Sequence, residues 1–199
     1  MVTYDPEKHH RRSIRLRDFD YSQGGAYFLT ICTYKKECIL GEIVNGEFRI
    51  NNLGECVLES WHDLQIHYSN IQLDEFVIMP NHIHGIIILF DERSVGAGLR
   101  PALFRKGSTA LSKWAGLRPA PTNKNNKKIH ALPEIVRALK SFSSRKVNNI
   151  LKNTGHPVWQ RNYYEHVIRD ESDLFNTRQY IINNPLLWEE DDYYLKTSK

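Results

Sequence analysis

Apolar positions recur along the chain with two different periods, and the changes between them mark out the elements. Ala26–Tyr34 (AYFLTICTY) is aromatic and β-branched on both faces, which predicts a strand in the middle of a sheet. Gly41–Ile50 (GEIVNGEFRI) sets Asn45-Gly46 between two short alternating runs and predicts a hairpin. From Asn51 the period lengthens: Leu53, Val57, Trp61 and Leu64 recur at helical spacing. Phe76–Met79 and Ile86–Phe90 are short and β-branched, and predict two strands joined around Pro80-Asn81. Pro133–Lys152 predicts a helix with proline in its first turn. Ile135, Leu139, Phe142 and Ile150 cluster on one side of it, Arg137, Lys140, Arg145 and Lys152 mostly on the other, and Lys146 breaks the pattern. Trp159–Arg169 predicts a strand, and Asp170 is placed to cap a last helix that ends near Asn184-Pro185.

On that last helix Leu174, Phe175, Ile181 and Ile182 share an apolar stripe. Tyr180 falls about 240° round from Leu174 at 100° per residue, almost opposite the stripe's centre, with Asn184 one turn further on. The order is strand, hairpin, helix, strand, strand, helix, strand, helix. It predicts an α+β fold with a ferredoxin-like antiparallel sheet and helices packed on one face.

Residues from about 91 to 131 break the periodicity. They hold a short repeat, GAGLRPA (Gly96–Ala102) and AGLRPAP (Ala115–Pro121), then a polar tract, Asn123–Lys128. The repeat is too short for a solenoid unit and predicts an inserted loop in one domain spanning 1–199. At 41% hydrophobic, the chain can bury a core. Its longest apolar run, Ile86–Phe90, falls far short of the roughly 20 residues that span a bilayer. The first residues are charged, without an apolar signal core, and Cys32, Cys38 and Cys56 form no CxxC pair. A cytoplasmic protein fits, with neither a disulfide framework nor a zinc cluster.

Charge changes the picture. Between Arg100 and Arg161 fourteen Lys and Arg face a single acid, Glu134, a net of +13. The whole chain carries +4, so the remainder carries −9. Arg11, Arg12, Arg15 and Arg17 add a basic N-terminal arm. Such a block suits a polyanion, although a solvated loop has the same composition.

Within VIMPNHIHGIIIL (Val77–Leu89), His82 and His84 lie between aliphatic runs. Residues i and i+2 of a strand share a face, so the two imidazoles project side by side where the second strand begins. They read either as core histidines bonded to carbonyls or as part of a divalent-metal site that needs a further ligand. A phenol such as Tyr180 becomes a useful nucleophile toward a phosphodiester whose charge a metal neutralises. The phosphotyrosine bond conserves energy for rejoining, which agrees with the lack of a GxxxxGK[ST] loop.

With those residues in view, the chain resembles the IS200-like single-tyrosine transposases of the His–apolar–His ("HUH") class, and among them the branch associated with repetitive extragenic palindromes (REP). The resemblance lies in RRSIRLRDFDYSQGGAYFLTICTY, FVIMPNHIHGIII, VWQRNYYEHVIRDESDL and QYIINNP, and spans nearly the whole chain except the repeat-bearing insertion. It implies Tyr180 as the nucleophile and His82 and His84 as metal ligands. Asn184 stands where some relatives have a glutamine that completes the site; it is one carbon shorter and precedes Pro185. It further implies Mg²⁺ or Mn²⁺, a hairpin-bearing single-stranded DNA substrate, cleavage and rejoining through a 5′-phosphotyrosine, and a cytoplasmic enzyme that meets the nucleoid through DNA. Arg11, Arg12, Arg15, Arg137, Lys140 and Arg145 are the expected DNA contacts. Both a monomer and a homodimer stay open, as does a tyrosine helix acting in cis or in trans.

Three rival readings use the same residues. A ferredoxin-like sheet can bind nucleic acid without chemistry, through platforms such as Tyr27, Phe28 and Tyr34. A metal-dependent phosphodiesterase would use water and leave no adduct. A relaxase-like or replication-initiator-like nuclease would share the HUH chemistry. Tyr164 is the second choice of nucleophile, with Tyr163 beside it. Trp159 reads as core, and the other histidines as surface or structural residues.

Overall fold

A computed structural model describes residues 24–45, 47–90 and 130–194. The basic arm with Arg11, Arg12 and Arg15, and nearly all of the expected insertion with its repeats, lie outside the described residues.

β1 (Gly25–Cys32) is followed by the hairpin of β2 (Gly41–Val44) and β3 (Glu47–Ile50), α1 (Asn52–His67), β4 (Ile71–Met79) and β5 (His82–Leu89). Beyond residue 130 come α2 (Leu132–Leu151), β6 (Tyr164–Ile168), α3 (Glu171–Asn183) and a 3₁₀ segment, Asn184–Glu190. The hairpin turns where Asn45 takes a positive φ of 55°, the conformation a two-residue turn demands. Asn51 caps α1 by accepting from the amides of Leu53 and Gly54, and Asp170 caps α3 by accepting from that of Asp173.

The main sheet is four-stranded in the order β4-β5-β1-β6, antiparallel throughout. This is the predicted α+β class. β5 and β1 are its central strands, so both of their faces are covered. Odd positions (Tyr27, Leu29, Ile31, Ile83, Ile87, Leu89) pack beneath α1 and α2, against Val57, Trp61, Leu64, Leu132, Ile135 and Leu139. Even positions (Ala26, Phe28, Ile86, Ile88) meet Leu174 and Ile181 of α3. Two helices thus share the expected face, and α3 lies on the other.

Gly85 belongs to the first layer. A Cβ there would come within 2.5 Å of the Trp61 ring, which stacks on Phe76 at 4.4 Å. The bare strand lets the indole lie against it.

Three elements differ from their patterns. The last strand starts at Tyr164, because Trp159 turns inward to donate to the Ser143 hydroxyl (2.9 Å) and the carbonyls of residues 160–162 turn to the Lys140 ammonium. On α3 only Leu174 and Ile181 are buried. Phe175 and Ile182, the other half of the expected stripe, are 62% and 52% exposed, because the helix meets the sheet along a narrow seam. On α2 the buried line runs through Leu132, Ile135, Val136, Leu139, Ser143 and Val147, and leaves Ile150 exposed. Lys146, the residue out of pattern, faces α1 and pairs with Asp63 (3.0 Å) and Glu59 (3.2 Å).

Candidate active site

The even-numbered face changes character toward one end. Apolar Ile86 and Ile88 give way to His84 and His82, and Phe28 gives way to Thr30 and Cys32 across the β1–β5 register. The two histidines are buried at 1% and 0% exposure. Their Nε2 atoms lie 3.0 Å apart. The i, i+2 spacing therefore does what strand geometry requires and aims both rings at one point. Phe28 stacks on His84 with ring centres 5.3 Å apart.

α3 brings the phenol. Tyr180 is 46% exposed and sits on the flank of the helix beside the Leu174–Ile181 seam. Its hydroxyl lies 3.4 Å from His84 Nε2, and its ring meets Phe28 edge-on. Asn184 is buried at the start of the 3₁₀ segment. Its amide nitrogen donates to Asp191 Oδ2 (3.1 Å), while its oxygen is buried with no hydrogen-bond partner.

Asp191 is the residue the sequence reading missed. It sits in the acidic run Glu189-Glu190-Asp191-Asp192, which looks like a solvated tail. The 3₁₀ segment turns it back so that its Oδ2 lies 3.9 Å from His82 Nε2. Among the described residues, His82, His84 and Asp191 form a group whose ligand atoms all lie within 4.8 Å of one another. Tyr193 follows it into the site, with its ring 4.8 Å from that of His82.

Burial, helped by the Lys36 charge, pushes His82 down to about 3. Burial and then the neighbouring His82 push His84 down to about 3 as well. Both rings are neutral at pH 7 and present lone pairs. Two imidazole nitrogens, one carboxylate oxygen and an orphaned amide oxygen make a donor set that could hold a divalent metal ion. Burial, and next the Asp191 charge, raise the Tyr180 phenol above its usual range, so it holds its proton.

The other expected residues lie elsewhere. Tyr164 is on β6, touches the edge of Phe28 and makes no ring contact with either histidine. Tyr163 packs against the α1–α2 core. Arg137 and Lys140 line a cavity of about 670 Å³ with Arg161, Glu134 and Tyr163, on the α2 side of the molecule. The Lys140 ammonium donates to the carbonyls of Gln160, Arg161 and Asn162, so it ties down a loop and does not stand free in solvent. Arg145 is exposed and lies over the Phe142 ring. His166 pairs with Asp173 (2.9 Å), and Trp159 is core, as their patterns suggested.

No family model matches the chain. An "Uncharacterized protein" of Haemophilus influenzae is 38% identical over 192 residues, covering 96% of this chain and 97% of that protein. A protein of the same organism named "Putative REP-associated tyrosine transposase" is 26% identical over 168 residues, covering 84% of this chain and 73% of that one. Among solved structures, a REP-associated tyrosine transposase bound to a REP hairpin is similar at a TM-score of 0.48 and 16% identity, over 86% of this chain and 72% of that one. A "putative transposase" of Deinococcus radiodurans is similar at a TM-score of 0.45 and 16% identity, over 85% and 95%.

Proposed function

The chain belongs to the family of its 38%-identical relative, and from that and its likeness to a protein named a REP-associated tyrosine transposase we propose that it is a DNA strand transferase with Tyr180 as nucleophile. The observation that carries the reading is the Tyr180 hydroxyl 3.4 Å from His84 Nε2, at the edge of the His82–His84–Asp191 cluster. A solvated phenol has no need of such company, and a core tyrosine would not be half exposed.

His82, His84 and Asp191 would hold the divalent cation, with the orphaned Asn184 oxygen as a fourth donor. Bound there, the cation supplies positive charge against a phosphodiester oxygen and lowers the cost of ionising a nearby phenol. The protein supplies position. The Phe28 and His84 rings flank the Tyr180 ring, leaving its exposed side to DNA. Tyr180 Oη attacks phosphorus, the Oη–P bond forms and the P–O3′ bond breaks. The phenol proton passes to water on the exposed side, and the departing 3′ oxygen takes up a proton. A 3′-hydroxyl attacking the same phosphorus reverses the step and rejoins DNA without ATP. The substrate class, single-stranded DNA bearing a hairpin, rests on the sequence resemblance. Arg137 and Arg145, exposed on α2, are the cations proposed to meet phosphates away from the cleavage site.

The test is an adduct. Wild-type protein incubated with a hairpin-bearing single strand and Mn²⁺ forms a species that survives denaturing electrophoresis, and mass spectrometry places a 5′-phosphate on Tyr180. Cleavage with no adduct makes water the nucleophile and removes the transferase reading. An adduct that persists in Tyr180→Phe moves the nucleophile to Tyr164 or Tyr163.

A further inference from the structure

The ring nitrogens that point away from the candidate metal position are as definitely partnered as those that point toward it. Asn81 is fully buried, and its amide nitrogen donates to the carbonyls of Lys36 (3.1 Å) and Tyr193 (2.8 Å). Those two acceptors fix which end of the amide is nitrogen, so the atom 2.8 Å from His82 Nδ1 is oxygen. An amide oxygen only accepts. His82 therefore carries its hydrogen on Nδ1, and its Nε2 is a bare lone pair.

His84 Nε2 lies 3.0 Å from that lone pair. Two bare nitrogens at this distance repel. Without a cation between them, His84 Nε2 must carry hydrogen and donate. His84 Nδ1 is then bare, and it accepts from the Thr30 hydroxyl 2.9 Å away. The Tyr180 hydroxyl, 3.4 Å from His84 Nε2, is too distant to replace that bond.

A cation held by both Nε2 atoms requires the reverse at His84. Its hydrogen must move to Nδ1, and its partner must turn from donor to acceptor. A hydroxyl does either without moving its oxygen. We infer that Thr30 is a positioning residue whose hydroxyl switches from donor to acceptor, letting His84 pass from an Nε2–H form to the Nδ1–H form that ligates, while Asn81 keeps His82 in the ligating form throughout. The inference rests on the metal reading above. The Leu29 backbone also lies within hydrogen-bonding reach of the His84 ring and would offer a second acceptor once Nδ1 carries hydrogen, so the test must separate the two.

Long-range ¹H–¹⁵N correlation spectra of the metal-free wild type read the tautomers directly and need no variant. They show His82 as Nδ1–H and His84 as Nε2–H, and adding Mg²⁺ moves only the His84 hydrogen, to Nδ1. Calorimetry with Mn²⁺ and no DNA gives the second readout. Thr30→Val keeps the β-branched shape on the strand and weakens Mn²⁺ binding by about 10- to 100-fold, the usual cost of losing such a partner. Thr30→Ser restores it. An Nδ1–H form of His84 in the metal-free protein overturns the switch. So does unchanged affinity in Thr30→Val, which would mean that Leu29 suffices. A wild type that binds no Mn²⁺ overturns the metal reading and the switch with it; failure of the switch alone leaves wild-type binding intact.

Discussion

The two faces of the sheet are made from alternate residues of the same strands, yet they meet different worlds. Beneath α1 and α2 the odd positions are apolar from end to end, and Trp61 fills the space that Gly85 leaves. Beneath α3 the even positions are apolar for half their length. They then become Thr30, His82 and His84, buried polar groups that each find a partner. One face gains stability from area removed from water. The other sets costly groups in one place, and such groups persist where hydrogen bonds or a ligand compensate for burial. A residue's face, more than its burial, should therefore decide whether losing it harms stability or chemistry.

The largest expected effect is on chemistry alone. Tyr180→Phe removes one half-exposed oxygen and keeps the ring against Phe28 and His84. Cleavage of a hairpin-bearing strand should fall on the order of 10⁴-fold or more, as when other enzymes lose a nucleophile. The urea midpoint should stay near that of wild type. A collapsed midpoint would make Tyr180 a core residue after all.

The reverse pattern is expected on the other face. Trp61→Ala should cost about 3–5 kcal/mol in urea unfolding, since a large ring is lost from a closed core. Gly85→Ala presses a methyl group into the same ring and should cost about 1–3 kcal/mol. In both, Mn²⁺ affinity of the folded fraction should match wild type. Lost affinity in either would show that the faces are coupled through β5.

Asp191→Asn tests the missed residue. Its carboxylate lies by His82 while Asp192 is exposed, so Asp191→Asn should weaken Mn²⁺ binding at least about tenfold and Asp192→Asn should not. Equal affinities in the two variants would return the whole acidic run to solvent.

The sequence carried this division unevenly. Strand parity made the His pair legible, because two histidines at i, i+2 must share a face whatever surrounds them. Helix periodicity set Tyr180 off the core stripe, but it doubled the width of that stripe. Phe175 and Ile182 fit the period and lie in solvent, because hydropathy does not say how obliquely a helix meets a sheet. Asp191 was invisible for another reason. Its partners are 107 and 109 positions away in the numbering, at His84 and His82, and nothing in EEDD marks which acid the chain turns inward. Asn81 and Thr30 likewise gain meaning only once β1, β5 and the C-terminal segment meet.

The smallest expected effect separates two kinds of cation that the helical pattern of α2 put together. Arg137 and Arg145 are exposed, whereas the Lys140 ammonium is enclosed by the carbonyls of Gln160, Arg161 and Asn162. A cation that meets phosphate releases counterions, and each contact with a single strand contributes about 0.7 to the slope of log affinity against log salt. Arg137→Gln with Arg145→Gln should lower that slope by about 1.4 and leave the urea midpoint nearly unchanged. Lys140→Met should do the opposite. It leaves three carbonyls without their donor, which should cost about 1–3 kcal/mol of stability, while the salt slope stays at the wild-type value. Binding of a single-stranded oligonucleotide across a salt series reads the slope, and urea unfolding reads the stability. A slope unmoved by the double Arg substitution would make that helix face merely solvated. A slope lowered by Lys140→Met would mean that the loop opens and gives the ammonium to DNA.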